Sequence, residues 1–250
     1  MLAVSEIFYS LQGEGEFIGT PSVFLRLGGC NLSCAGFGIK SQLDTAEFLG
    51  CDSIYAANFS YAKEWESFAN STTLIEKMTS FSPGKFDVII TGGEPSLHFK
   101  NPILLEVIAY FLERNHRVCV ESNASVPFGF NELLRRLYFT LSVKLSNSGE
   151  PLKKRIKPEV IQSIIDNAPH VVFKFVLNAK MCQDGRALEE IRDLLSKLKL
   201  KGNKIFLMPQ GVNEEELNEN IQAILPLCLR EGFCLSDRLH IRIWGDKRGF

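Results

Sequence analysis

Short apolar, β-branched runs alternate with helix-patterned segments along most of this chain, and that alternation leaves few folds open. Strands are expected at Ser22–Leu27, Asp87–Ile90, Val118–Glu121, Thr140–Lys144, Val171–Leu177, Lys204–Leu207 and His240–Trp244. Helices are expected at Thr73–Phe81, Pro102–Leu112, Asn131–Leu137, Pro158–Asn167, Gly185–Leu198 and Asn213–Glu231. Asn101 and Pro102 supply an N-cap and a first-turn proline. Leu188, Ile191, Leu195 and Leu198 make one apolar stripe, and Pro226 should kink the last long helix. Buried strands separated by helices pair in parallel, with the helices covering the sheet. The expected class is α/β: an open, partial (β/α) barrel, because seven strands fall short of the eight of a closed one. No linker or low-complexity tract divides the 250 residues, so 1–250 reads as a single domain, with an irregular insertion at about 35–50.

Several of these strands run into Gly, Ser, Asn or Pro: Gly28-Gly29-Cys30, Thr91-Gly92-Gly93-Glu94-Pro95, Ser122-Asn123, and Met208-Pro209-Gln210-Gly211. Ligands of parallel α/β folds bind at the carboxyl ends of strands, so one rim collects the unusual residues. Cys30 and Cys34 lie there, and Cys51 follows after a detour. Seven cysteines spread over the chain make a poor disulfide framework, and clustered ones more often bind metal. Three thiolates can hold an iron–sulfur cluster while leaving one iron open. Cys119, Cys228 and Cys234 read as buried thiols and Cys182 as a loop residue. Arg26, inside an apolar strand, needs an anionic partner, either an acidic side chain or a ligand. Lys144 on an apolar strand calls for a polar cavity. Residues 6–19 hold three glycines and three acids and read as a loop, either a surface turn or backbone that approaches a ligand. With 28 basic residues against 29 acidic ones, no bulk attraction to nucleic acid or membrane is expected. The N-terminus lacks a signal-peptide pattern, so a cytoplasmic location is expected.

Cys30-x-x-x-Cys34 after one strand and Thr91-Gly92-Gly93-Glu94-Pro95 after the next resemble the radical S-adenosylmethionine superfamily. More narrowly, Ser10–Gly15, Phe24–Cys34, Cys51-Asp52-Ser53-x-Tyr55-Ala56, Glu121-Ser122-Asn123 and Ser142–Ser146 are similar to the 7-carboxy-7-deazaguanine synthase family. So are Phe173–Val176, Met208–Gly211 and Arg238–Gly245. The superfamily's usual third cysteine would fall at Phe37, whereas the family's Cys-Asp-Thr signature reappears as Cys51-Asp52-Ser53. The resemblance therefore implies cluster ligands Cys30, Cys34 and Cys51, with the insertion between the last two. It implies S-adenosylmethionine on the open iron, held by Gly93, Glu94, Ser142, Val143, Lys144, Met208, Pro209, Gln210 and Gly211. Glu94 would accept from that cofactor's ammonium group. It implies a substrate, 6-carboxy-5,6,7,8-tetrahydropterin, held by Leu11, Gln12, Gly13, Glu14, Arg26, Thr91 and the terminal carboxylate of Phe250. Magnesium would sit at Ser53, where the family more often has threonine. The product would be 7-carboxy-7-deazaguanine, formed with loss of ammonia on the route to queuosine in tRNA. No side chain would be catalytic, since cluster and cofactor generate the radical. A flavodoxin- or ferredoxin-type electron donor and a homodimer are also implied. Two alternatives remain: an activase for glycyl-radical enzymes, or a non-catalytic zinc-stabilised binding protein using cysteines and one of His98, His116, His170 and His240.

Overall fold

The computed structural model describes residues 1–250. Its strands are β1 (Leu2–Leu11), β2 (Pro21–Leu27), β3 (Ile39–Leu43), β4 (Ala46–Gly50), β5 (Glu66–Phe68), β6 (Asp87–Gly92), β7 (Val118–Ser122), β8 (Tyr138–Leu141), β9 (His170–Leu177), β10 (Ile205–Pro209) and β11 (Cys234–Leu235). Nine of them form one sheet in the order β11-β10-β9-β8-β7-β6-β2-β1-β5, while β3 and β4 pair only with each other. From β2 to β11 every pairing in that sheet is parallel, whereas β1 joins β2, and β5 joins β1, antiparallel. β5 and β11 are free edges, so the barrel is open. No helix is long and apolar enough to cross a membrane.

The period of two along each strand separates two very different faces. Val23, Leu25, Val88, Ile90, Val118, Val120, Phe139, Phe173, Phe175 and Leu207 point to one side, where the helices cover them in a 44-residue core. Helices Pro102–Glu113, Pro158–Asn167, Arg186–Ser196 and Glu214–Glu231 supply Ile108, Phe111, Ile161, Ile164, Ile191 and Ile224 to it. On the other side Phe8, Phe24, Ile89 and Cys119 form a small separate cluster with Phe17 and Tyr138 against it. Two residues farther along their strands, that same side carries Arg26, Thr91 and Glu121. The inner face is therefore apolar toward the strand starts and polar toward their carboxyl ends.

Four expectations need correction. Residues 2–11 are a strand, not the start of a loop: Phe8 stacks on Phe24 at 4.6 Å, and the register with β2 slips between Val4 and Glu6. That slip, a bulge-like irregularity, turns Glu6 and Phe8 inward where Val4 faces the helices. Residues 131–137 hold only the single turn Leu134–Arg136, with Leu134 alone buried in it, so no apolar stripe sustains a helix. His240–Trp244 belongs to a helix, Leu239–Trp244, and the seventh parallel strand is the two-residue β11. Its alternating pattern imitates a strand, but only Ile241 is buried, and the Leu239 N–H is held by the Gly13 carbonyl. β8 ends at Leu141, which leaves Lys144 in a loop. Helix Glu214–Glu231 continues through Pro226, which is exposed.

Candidate active site

β2 delivers Gly28, Gly29 and Cys30 to the polar end of the inner face. The Gly29 and Cys30 amides donate to the carbonyls of Ala56 and Ala57 at 2.7 and 3.0 Å. Those carbonyls belong to the short helix Ile54–Ala57, which starts three residues after Cys51. The detour from Ala35 to Gly50 is a single turn followed by the β3–β4 hairpin, whose first cross-strand pair is Ile39 with Gly50. A hairpin returns the chain to where it left, and Cys51 follows directly on its closing pair, Ile39 with Gly50. Gly50 lies against the Ser33 carbonyl. Cys30, Cys34 and Cys51 all line one cavity of about 320 Å³.

The cysteine loop is braced from behind. Cys34 has φ +51°, a left-handed conformation that costs a side-chain-bearing residue about 1–2 kcal/mol. The buried Glu150 carboxylate accepts from the Ser33 amide and hydroxyl at 2.6 and 2.8 Å and from the Cys34 amide at 2.9 Å. Gly36 and Gly149 meet backbone to backbone, with no room for a Cβ on Gly36. Burial pushes the Cys30 and Cys34 thiols up to about 12; Lys144 offsets part of that at Cys34. No three His, Cys, Asp or Glu side chains converge closely enough to hold a single metal ion. Three thiols lining one cavity supply the donor set of a cluster, in which each thiolate binds a different iron.

The turn after β6 packs on this loop. The Gly93 amide donates to Leu27 (3.1 Å) and the Glu94 amide to Gly29 (2.8 Å), and a Cβ on Gly93 would run into the Gly29 carbonyl. Glu94 departs from expectation. Its buried carboxylate accepts from the Ser96 amide and hydroxyl, the Ser122 hydroxyl and the Asn123 amide at 2.6–3.0 Å, and it does not line the cavity. A carboxylate so engaged anchors the turn and is not presented to an ammonium ion. Val143 and Pro209 are likewise buried and not in the lining. Gly93, Ser142, Lys144, Met208, Gln210 and Gly211 are in it. Lys144 pairs with no carboxylate; its Nζ lies 5.8 Å from the centre of the Phe37 ring.

Opposite the thiols stands a charged network. Lys174, inward-facing on β9 and 3% exposed, holds Glu14 Oε2 at 2.5 Å and Glu121 Oε1 at 3.7 Å. Gln12 and Thr91 donate to the two oxygens of Glu121 at 3.2 and 3.0 Å. Arg238 donates from Nε to Glu14 at 3.0 Å, from Nη1 to the Gly211 carbonyl at 2.5 Å, and from Nη2 to Asp52. Burial alone would raise the Glu14 carboxyl, but Lys174 and Arg238 outweigh it and hold it well below the usual range. Burial alone would lower the Lys174 ammonium, but Glu121 and Glu14 push it up to about 12. Of the two kinds of partner left open for Arg26, the structure supplies the acidic side chain: Nε donates to Glu6 at 3.2 Å, and the residue also lines the cavity. Its Nη1 donates to Ser53 Oγ at 3.2 Å. Leu11, Gln12, Gly13, Glu14, Thr91 and Ser53 also line the space, and residues 246–250, Phe250 included, edge it. Glu6, Asp52, Glu121, Lys174 and Arg238 belong to the same lining and were given no site role from the sequence; His240, offered there only as a zinc ligand, lines it too. The signal that would have found Glu121 and Lys174 is a charge every second residue from an apolar inner-face position.

No protein-family model matches the chain. It is 32% identical over 247 residues to the 7-carboxy-7-deazaguanine synthase of Pyrobaculum aerophilum, covering 98% of this chain and 96% of that one. The 7-carboxy-7-deazaguanine synthase of Leptospira interrogans is 30% identical, covering 99% of this chain and 97% of its own. Among solved structures, QueE from Escherichia coli superposes with a TM-score of 0.67 at 22% identity, covering 96% of this chain and 94% of that one, a likeness of fold.

Proposed function

The chain belongs to the 7-carboxy-7-deazaguanine synthase family, and on that premise we propose that it converts 6-carboxy-5,6,7,8-tetrahydropterin to 7-carboxy-7-deazaguanine with loss of ammonia, a step toward queuosine. The observation that carries this reading is the meeting, in one cavity, of three unpaired thiols with a ring of polar groups. Cys30, Cys34 and Cys51 would hold a four-iron, four-sulfur cluster; bound with S-adenosylmethionine, it supplies one-electron chemistry and hydrogen abstraction. Gly93, Ser142, Gln210 and Gly211 would bind that cofactor through groups that reach the cavity, and Lys144, free of any carboxylate, would meet its carboxylate. Glu94 acts at one remove, by fixing the turn that carries Gly93.

On the substrate side, Arg26 keeps Nη2 without a protein partner and would take the pterin carboxylate. Gln12, Thr91 and the acceptors of Glu14 would position the N–H-rich ring, and the Phe250 terminus would close over it. Magnesium stands on a narrower footing. Ser53 Oγ already accepts from Arg26, and no group of side chains makes a metal site there, so substrate and water oxygens would have to complete its sphere. A cytoplasmic homodimer served by a flavodoxin- or ferredoxin-type donor completes the reading.

The test is anaerobic reconstitution with iron and sulfide, followed by reaction with carboxytetrahydropterin, S-adenosylmethionine and a reductant, with products identified by mass spectrometry. Carboxydeazaguanine is expected. Cofactor cleavage without that product would overturn the assignment of substrate.

A further inference from the structure

The third thiol follows a hairpin that stands outside the main sheet. The β3–β4 hairpin that delivers Cys51 pairs with no other strand, and a two-stranded hairpin alone is marginal in water. It rests on the body through the helix Ile54–Ala57 and through Tyr61, which donates to Ser41 at 2.7 Å and whose ring lies 5.8 Å from that of Phe48. Past the hairpin, Asp52 follows Cys51 immediately, and its carboxylate accepts from Arg238 Nη2.

Arg238 is 7% exposed and spends each of its three nitrogens on a different part of the chain. Nη2 takes Asp52, beside the third thiol; Nε takes Glu14, in the loop after β1; Nη1 takes the Gly211 carbonyl, just past β10. Only a planar guanidinium fork can serve three acceptors in fixed directions; an ammonium is a single point. Without it, Asp52 and Glu14, the two carboxylates it bridges, would have no cation between them. Asp52, with 40% of its side chain exposed, is the one with somewhere to go, and its movement would carry Cys51 outward.

We infer that Arg238 is a positioning residue: it holds Asp52, and through it the Cys51 thiol, in register with the two loops that line the rest of the cavity. The inference rests on reading Cys51 as a cluster ligand, but its test does not depend on turnover.

The experiment measures alkylation of full-length, metal-free protein by iodoacetamide under anaerobic conditions, with each cysteine followed by peptide mass spectrometry. In Arg238→Gln, Cys51 should react about tenfold faster than in wild type, in line with loss of a charged hydrogen bond. Cys30 and Cys34, held by Ala57 and Glu150, should change by less than about twofold, a factor too small to signal a lost bond. Arg238→Lys should recover part of the protection. Should Arg238→Gln fail to fold, Asp52→Asn weakens the same link from the other end, and hydrogen exchange of the backbone amides of residues 51–53, which does not depend on the thiolate, should quicken there and not at Cys30 or Cys34; unchanged exchange overturns the inference. Iron extraction by a chelator from the reconstituted variants should quicken in parallel. An unchanged Cys51 rate, or equal acceleration of all three thiols, overturns the inference. Absence of the deazaguanine product would instead count against the substrate assignment and leave the labelling result standing.

Discussion

Lys174 shows how much one buried side chain can decide. It is nearly inaccessible and compensates both Glu14 and Glu121. Replacing it with methionine leaves Glu121 without an ion-pair partner and Glu14 with Arg238 alone, and removing one partner of a buried ion pair costs about 3–5 kcal/mol. Urea denaturation should show a loss of that order, and restoring one neutral partner with Glu14→Gln in the same chain should recover part of it. The direction of the two shifts also sets the pH behaviour. Glu14's carboxyl is depressed, so its contribution is present above the usual value near 4.5 and is lost as pH falls through the lower folded value. Lys174 is raised from 10.5 to about 12, so its contribution holds below 10.5 and is lost as pH climbs through 12. Between those limits the pair should add no slope to a plot of melting temperature against pH, while Glu14→Gln should flatten the acid limb. Glu150 has a comparable role behind the thiols. In Glu150→Ala, three donors of Ser33 and Cys34 lose their acceptor. A destabilisation of about 2–4 kcal/mol is expected, with fewer irons retained per chain on reconstitution. Full iron retention would show that the loop needs no brace.

At the scale of elements, the hairpin is the part of the chain whose length matters least. Its ends meet at the Ile39–Gly50 pair. Opposed residues of an antiparallel pair lie about 4.5–5.5 Å apart at Cα, not far from the 3.8 Å of a peptide link. Excising residues 39–50 and joining Gly38 to Cys51 should therefore leave the three thiols where they are. The shortened protein should bind as much iron per chain as the parent and show the same absorbance after reconstitution. Loss of iron would mean that the hairpin itself, beyond the Asp52–Arg238 contact, places the third thiol. The elements also explain two misleading patterns. Glu6 to Leu11 has the glycines and acids of a loop just beyond it, but its own backbone pairs with β2 on one side, and the aromatic stack of Phe8 on Phe24 supports the pairing. Leu239–Trp244 alternates apolar and polar like a strand, yet it pairs with no strand and closes as a helix that buries only Ile241.

Over the whole molecule, one sheet with two chemistries on its two faces makes the site possible. Helices bury the outer face in a continuous core, while the inner face changes from aromatic at the strand starts to charged at the strand ends. The aromatic end is a floor: Phe8, Phe24 and Ile89 pack there, and Phe17 from the loop after β1 meets Tyr138 edge-on at 6.0 Å. Phe8→Ala should remove about 3–5 kcal/mol of stability. By opening the space beneath Arg26 it should also weaken substrate binding more than cofactor binding, which separate titrations of the reconstituted enzyme would resolve. Equal weakening of both would mean that the floor supports the sheet as a whole.

The class of fold and the rim that bears the site were legible because both follow from local patterns: apolar runs of strand length, helical stripes between them, and glycine-rich turns at the carboxyl ends. Cys30, Cys34, Gly93, Arg26 and Gln12 stood out for the same reason, each lying in a short motif whose composition is unusual by itself. Glu121, Lys174, Asp52 and Arg238 lie in motifs that carry the family resemblance, but their roles were not legible there, because what a charge in a strand or loop does depends on what faces it. Their partners lie 160 residues away for Lys174 with Glu14 and 186 for Arg238 with Asp52. The surroundings of Glu94 were hidden on the same account: its motif is local, but the donors that occupy its carboxylate include Ser122 and Asn123 from the next strand end. Sequence alone determined which residues could form strands, helices and turns, since those preferences act between near neighbours along the chain. Which charges pair, which carboxylate remains open to a ligand and where the third thiol comes to rest were decided only by tertiary structure, because electrostatic and hydrogen-bond energies depend on distances that the chain sets only when it closes.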